Sequence, residues 1–502
     1  MKIKKEKIYN TLLYILIFCN VLSIILLKPL NDLDEIWNYN FARNIKNGLV
    51  PYKDFNMVIT PFLSIVCGLM LKITTDELIV MRFLAAILCS SIIYVTYKIL
   101  CLLGVKKNIS IICIFFIGYL FKDIYCIDYN YACLLVAITI IYNEIKLYKK
   151  QNTIFYIDVK KDIWLGLLAG ISITLKQTTG LFISLALLGN KLLFVRKKEN
   201  FKVYLKSAIL RLLGIIIPIL IFMIYLIINS AFAEFINYTI KGISEFTNKI
   251  SYKSLVNWDL LGVLSILVPI TFIYTWIKTV VLEKSKEIYF LLIYGLSTMV
   301  ICFPISNKIH FLIGSFPIII IILYEIYNLF YKLRIVLEKK EKLKIVNKII
   351  EFIIWFLMYI VIIFLIYNCI FNFNKYIKSK DDFSTLKHFK YIQVDSQLET
   401  QIKNVDKFIL ENEKVIIADT SASVYMIPID RYNKDFDTFN KGNFGANGEK
   451  RLIEQISNSK DVKYLLLSDE FLKNWQIPTK VIEFIKERKN KIGTIEIYDI
   501  YE

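Results

Sequence analysis

From residue 8 to residue 372 long apolar runs alternate with short charged breaks; beyond that the pattern changes. Most of the apolar runs approach the roughly 20 residues that a helix needs to cross a bilayer. Runs of this length, so poor in polar side chains, predict membrane-spanning helices rather than one soluble core. The run at 59–73 is shorter and opens on Thr60-Pro61. Past Asn374 the pattern predicts alternating strands and helices. Val415–Ala418 reads as a buried strand, Glu449–Ile456 as helix and Tyr464–Leu467 as a second strand. Lys480–Glu487 reads as a second helix, started by Pro478-Thr479, and Gly493–Tyr498 as the last strand. Asn440–Gly448 reads as a loop. Such alternation predicts a small α/β domain.

Charge sets the expected topology. Basic clusters stand at Lys106-Lys107, Lys146–Lys161, Arg196–Lys206, Lys278–Lys286 and Lys332–Lys344. All of them fall on the cytoplasmic side only if 59–73 does not cross, which makes it a juxtamembrane or re-entrant helix. The expected fold is therefore an α-helical integral membrane protein of about 11 spans with a small C-terminal extracytoplasmic α/β domain. Residues 1–373 form the multi-span part, with 31–77 as its first outer loop, and 374–502 the extracytoplasmic domain. The protein is expected in the cell membrane with its N-terminus on the cytoplasmic side. KIKKEK followed by a long apolar core reads as an uncleaved first span, because no small-residue cleavage site follows.

Composition narrows the function. The chain is 56% hydrophobic and 15% aromatic, which excludes a disordered or fibrous protein. Its net charge of +19 would suit a nucleic-acid partner if it were evenly spread. From Asn374 onward 21 basic residues face 21 acidic ones, so the whole excess belongs to the membrane half. The positive-inside rule accounts for it, and no nucleic-acid partner is expected. The nine cysteines form no C-x-x-C pair and signal neither a disulfide scaffold nor a zinc site. No internal repeat of the kind found in many transporters is evident.

The candidate chemistry concentrates where the apolar runs end on the expected outer side. Asp32, Asp34 and Glu35 follow the first span. Trp37, Phe41, Ile45 and Leu49 recur every fourth residue behind them, which predicts a helix with an apolar stripe, stopped near Gly48. A carboxylate there either caps that helix or serves as a general base toward an acceptor hydroxyl. Lys176, in a Lys176-Gln177-Thr178-Thr179 turn, either snorkels to the interface or reaches a lipid phosphate. Lys308 and His310 share a short outer turn. Asp128 ends a polar run, as a helix cap or as a second acidic site. Arg82 stands at the start of the 78–100 run, within reach of phosphate or lipid headgroups.

The acidic pair after the first span, the amphipathic stretch, and Gly48, Pro51, Tyr52 and Asp54 in G-x-x-P-Y-x-D resemble the membrane-embedded GT-C glycosyltransferases. The likeness is to the branch of protein O-mannosyltransferases and aminoarabinose lipid A transferases. The Lys176–Gly180 turn, the Phe303-Pro304, His310 and Pro317 stretch and the α/β tail resemble bacterial members. Thr60-Pro61-Phe62 departs from the double proline that those groups usually carry.

The resemblance implies inverting transfer of a sugar from a polyprenyl-phosphate donor to an acceptor hydroxyl or amine in the cell envelope, on a glycan, lipid or protein. Asp34 would be the base, and Glu35 would orient it or the acceptor. Lys176, Lys308, His310 and Arg82 would contact the donor. Asp128 would position it or hold a divalent cation; the sequence does not define a cofactor. A lipid-linked saccharide transporter or flippase, a polysaccharide polymerase or ligase, and a non-enzymatic receptor are the rival readings. A transporter needs polar residues along several spans, and few mid-span charges stand out.

Overall fold

The computed structural model describes residues 2–30, 33–245, 249–338, 344–446, 448–469 and 477–502. Its first helices are α1 (Lys2–Leu26), α2 (Leu33–Lys46), α3 (Phe62–Ile73), α4 (Leu78–Leu102) and α5 (Lys107–Phe121). Then come α6 (Tyr129–Gln151), α7 (Val159–Leu175), α8 (Gln177–Gly189), α9 (Lys198–Ile228) and α10 (Phe232–Ile236). These lead to α11 (Leu260–Trp276), α12 (Lys286–Thr298), α13 (Lys308–Gly314), α14 (Phe316–Glu338) and α15 (Lys344–Lys378). The C-terminal part holds α16 (Ser396–Glu411), β1 (Val415–Ile417), α17 (Ala422–Met426), α18 (Gly448–Ser457) and β2 (Lys463–Leu467). It closes with α19 (Thr479–Arg488), β3 (Lys491–Ile495) and β4 (Tyr498–Tyr501).

Among the described residues seven helices are long and apolar enough to cross a membrane: α1, α4, α6, α9, α11, α14 and α15. The other four runs of the eleven-span reading form α5, α7, α8 and α12, of 15, 17, 13 and 13 residues. At ~1.5 Å per residue these fall short of a hydrocarbon layer ~30 Å thick, whereas α11 reaches 22 residues because its helix continues to Val281. Segment 59–73 folds as α3, only 12 residues long.

The chain divides into two compact units. One comprises Met1–Ile25, Ala85–Leu220 and Lys249–Asn374; the other comprises Leu26–Leu84, Ile221–Asn248 and Lys375–Glu502. In the first unit α7 and α9 approach closely. A Cβ on Gly166 would stand 2.1 Å from the Arg211 carbonyl oxygen, and one on Gly214 2.3 Å from that of Ile163. Only glycine permits backbone contact of this kind, a common device where two apolar helices cross.

In the second unit a four-stranded sheet has the order β1-β2-β4-β3. β1 and β2 are parallel, and β4 runs antiparallel to both β2 and β3. Phe436, Phe439, Phe444, Leu452, Tyr464, Leu466, Val481 and Ile485 share its core. The last strand differs from the expectation of Gly493–Tyr498. Two strands form a hairpin instead, and the chain turns through Glu496 at φ +49°. The turn lacks Gly, Asn or Pro, and apolar alternation continues through it, so the pattern conceals it. Amphipathic α16 begins with Asp395 accepting from the Gln397 and Leu398 amides, a cap the sequence reading passed over.

The 31–77 loop belongs to this unit, together with residues 375–502. Its helix α2 departs from the expected amphipathic picture. Trp37, Phe41, Ile45 and Leu49 are only half-buried, whereas Asn38, Asn40, Arg43 and Asn44 are buried. Tertiary hydrogen bonds override the apolar stripe. Asn40 donates to Asp437 at 3.4 Å, Arg43 pairs with Asp430 at 2.6 Å, and Trp37 Nε1 donates to the Thr420 carbonyl at 3.1 Å.

Candidate functional site

Two polar clusters, one in each unit, contain the predicted residues other than Lys308. In the second unit Asp34 and Glu35 occupy the first turn of α2, where negative charge is favoured by the helix dipole. Asp34 lies inside the helix rather than at its cap, and it is half-buried. The other capping candidate, Asp32, falls outside the described residues. Asp34's carbonyl accepts from Asn38 Nδ2 at 2.8 Å.

Glu35 is buried and gripped by Arg82 at two points, Nε to Oε1 and Nη2 to Oε2, each 3.0 Å. Arg82 Nη1 also donates to the Lys28 carbonyl at 2.6 Å, and Nη2 to that of Pro29 at 3.4 Å. This corrects the expected role of Arg82. A fully buried guanidinium committed to a carboxylate and two carbonyls fixes the entry of α2 rather than reaching lipid phosphate. The Glu35 carboxylate is thereby taken up by Arg82. The G-x-x-P-Y-x-D stretch also closes on itself. Asp54 accepts from the Val50 amide at 2.7 Å, and buried Tyr52 donates to the Ile59 carbonyl at 2.8 Å.

Farther along α2, Arg43 enters a network that the sequence did not signal. Asp430 lies 2.6 Å from Arg43 and 2.7 Å from His388 Nε2, and also accepts from Lys387. His388 Nδ1 faces the Asp76 carbonyl at 2.7 Å, and Lys46 pairs with the Asp76 carboxylate at 2.6 Å. Burial opposes ionisation of Asp430, but its bonds to Lys387 and His388 and the Arg43 charge outweigh it and hold the carboxyl at about 2. Asp437 is pushed up to about 7 by burial, despite the amide bonds from Asn433 and Asn40.

In the first unit three separate segments converge. Asp128 caps α6, accepting from the Asn130 amide at 2.7 Å. Lys176 sits in extended conformation between α7 and α8, so the expected turn is a one-residue break with Gln177, Thr178 and Thr179 already helical. A Cβ on Gly180 would stand 2.2 Å from the Ile173 nitrogen, so this reversal demands glycine. Lys176 Nζ donates to Asn130 Oδ1 at 2.8 Å and lies 5.1 Å from the Tyr129 ring centroid.

Burial raises the Asp128 pKa and the Lys176 charge opposes that rise. Burial, then the same ammonium, lowers His310 to about 4. His310 Nδ1 lies 2.7 Å from Asn307 Oδ1, which also accepts the His310 amide. The imidazole is thus neutral near pH 7, with Nδ1–H donated to Asn307 and Nε2 an acceptor. It offers a contact for a hydroxyl rather than a cation for a phosphate. Lys308 is not in this group; it is half-exposed and pairs with Asp123 at 3.4 Å.

A further cluster was missed altogether. Arg211 lies 2.8 Å from both Glu144 and Asp162, all three with side chains at most 1% exposed. Tyr156 and Asn190 donate to Glu144 at 2.9 and 3.2 Å. Buried Lys191 donates to Ser207 at 2.9 Å, and Ser207 to Asp162 at 2.9 Å. The available signal was a single arginine inside an apolar run (Leu210-Arg211-Leu212), which marks an intramembrane charge that needs a partner.

Among the described residues no group of three or more His, Cys, Asp or Glu side chains is arranged to hold a metal ion. None of the nine cysteines is in a disulfide. Compared with known proteins, the chain matches no family model and no curated protein sequence.

Proposed function

We propose that the protein is an inverting glycosyltransferase that moves a sugar from a polyprenyl-phosphate donor to an acceptor hydroxyl or amine in the cell envelope. In this reading the chain crosses the cell membrane eleven times, with the N-terminus cytoplasmic and residues 374–502 extracytoplasmic. The observation that carries it is Lys176, bonded to Asn130 in the first turn of the helix that Asp128 caps, at the ends of apolar helices of the first unit, with its charge felt at His310. A cation beside a neutral imidazole suits a phosphate and a sugar hydroxyl.

The chemistry balances without an acid. The acceptor oxygen bonds to the anomeric carbon as the carbon–oxygen bond to phosphate breaks. The acceptor proton passes to a carboxylate base, the role the resemblance gives Asp34, and polyprenyl phosphate leaves as an anion that a cationic side chain stabilises. Glu35, held by Arg82, fixes the first turn of α2 from which Asp34 projects. Incubation of the purified protein with a panel of polyprenyl-phosphate sugars tests the reading. Release of free polyprenyl phosphate that depends on an acceptor supports it, and no release from any donor removes it.

The second reading, a lipid-linked saccharide transporter, draws support from the buried Glu144, Asp162, Lys191 and Arg211 cluster. Movement of an intact lipid-linked saccharide across proteoliposomes, without sugar transfer, would favour it.

A further inference from the structure

Helices α1, α4, α5 and α15 of the first unit surround a cavity of about 170 Å³. Its lining is mostly apolar, with Ile17, Ile24, Phe115 and Phe364, and also carries the polar ends of Asn20, Asn368 and Tyr125. Phe115 and Phe364 meet edge to face with ring centroids 5.8 Å apart. Gly118 keeps the space open, since a Cβ there would meet only the Tyr125 hydroxyl, at 3.6 Å. One wall therefore accepts chain rather than filling the space itself.

Lys122 lines the cavity just past the last turn of α5. It is the one charged side chain among the described residues that form the lining. Its ammonium stands 4.5 Å from the centroid of the Tyr119 ring. Three of the four surrounding helices are long and apolar enough to cross a membrane. Asn20 already donates to the Leu365 carbonyl at 3.4 Å, and the apolar part of the lining suits an apolar guest. Beside a bilayer the guest at hand is a lipid chain, and a lysine at a helix end sits at headgroup depth.

We propose that this cavity is a lipid-binding site that seats part of one acyl chain of an anionic phospholipid, with the headgroup phosphate on Lys122. The cation favours a headgroup of net negative charge over a zwitterionic one. The site is independent of the transfer chemistry proposed above and uses none of its residues.

Native mass spectrometry of the purified full chain tests it, with dioleoyl phosphatidylglycerol and dioleoyl phosphatidylcholine as probes of identical chains. Wild type is expected to retain one phosphatidylglycerol in preference to phosphatidylcholine by roughly five-fold, the selectivity of one lysine at a membrane surface. Lys122→Gln should abolish the preference while both lipids still bind. Gly118→Phe should lose both, and Gly118→Leu provides a milder filling variant if the larger one does not fold. Equal retention of the two lipids by wild type, or preference kept in Lys122→Gln, overturns the proposal. So does undiminished binding in a folded filling variant. Displacement of phosphatidylglycerol by an equimolar long-chain polyprenyl phosphate also overturns it, in favour of an isoprenoid site.

Discussion

Arg82 clasps Glu35 through two parallel hydrogen bonds of 3.0 Å in a setting closed to solvent. The pair joins the start of α4 to the first turn of α2, and the Lys28 and Pro29 carbonyls extend it to the end of α1. Removing one partner strands the other as an uncompensated buried charge, at a cost of about 3–5 kcal/mol. Arg82→Gln is therefore expected to lower the melting temperature in detergent well beyond any surface substitution. A double variant, Arg82→Met with Glu35→Leu, should recover much of the loss. A single variant as stable as wild type would show that the pair does not hold α2.

Asp34 offers a cleaner separation of roles. It lies inside the first turn rather than at the cap, where the helix dipole favours its charge by about 0.3–1 kcal/mol. Asp34→Asn keeps the shape and removes the charge. As a general base, Asp34 predicts a loss of roughly 100-fold or more in transfer at saturating donor, with the melting temperature almost unchanged. Turnover close to wild type in Asp34→Asn would take the residue out of the mechanism.

Lys176 and His310 should differ in kind. Loss of a charged contact from a partly dry site costs about 1.5–3 kcal/mol, so Lys176→Ala should weaken donor binding on the order of 10- to 100-fold. His310 is neutral at pH 7, and its Nδ1–H is given to Asn307. His310→Gln should therefore weaken binding less than Lys176→Ala, and its effect should not change between pH 6 and pH 8. Donor titrations of both variants check this; equal losses would contradict the neutral assignment.

The sequence revealed the α/β tail because its strands and helices are short and locally signalled. Val415–Ile417, Gly448–Ser457, Lys463–Leu467 and Thr479–Arg488 fall where period and start signals put them. The final hairpin escaped because Glu496 turns with no turn residue. The polar partners escaped for another reason. Arg43 and Asp430 are 387 positions apart, and Arg211 and Asp162 are 49 apart. Spacing reveals neighbours on one helix but not partners on two. Asp128 shows the limit from the other side: its capping role was legible beside the functional one, and the cap is the geometry found.

Two carboxyls of the second unit predict opposite responses of stability to pH. Asp437 has its pKa raised to about 7 by burial, against ~3.9 for an unfolded aspartate. Between those values the unfolded chain releases this proton while the folded chain keeps it. Folding stability from this group is therefore full below about pH 4 and falls as the pH rises through 7. Asp430 is the reverse, held at about 2 chiefly by Lys387 and His388 against the cost of burial. Its contribution is present above about pH 4 and is lost as the pH falls through 2. Asp437→Asn should therefore flatten the decline in melting temperature between pH 4.5 and 7.5. Asp430→Asn should destabilise the protein at neutral pH and lose that penalty in acid. Thermal unfolding of the two variants and wild type across pH 2.5–8 decides the matter, and parallel curves for Asp437→Asn and wild type would mean that Asp437 is already ionised in the fold.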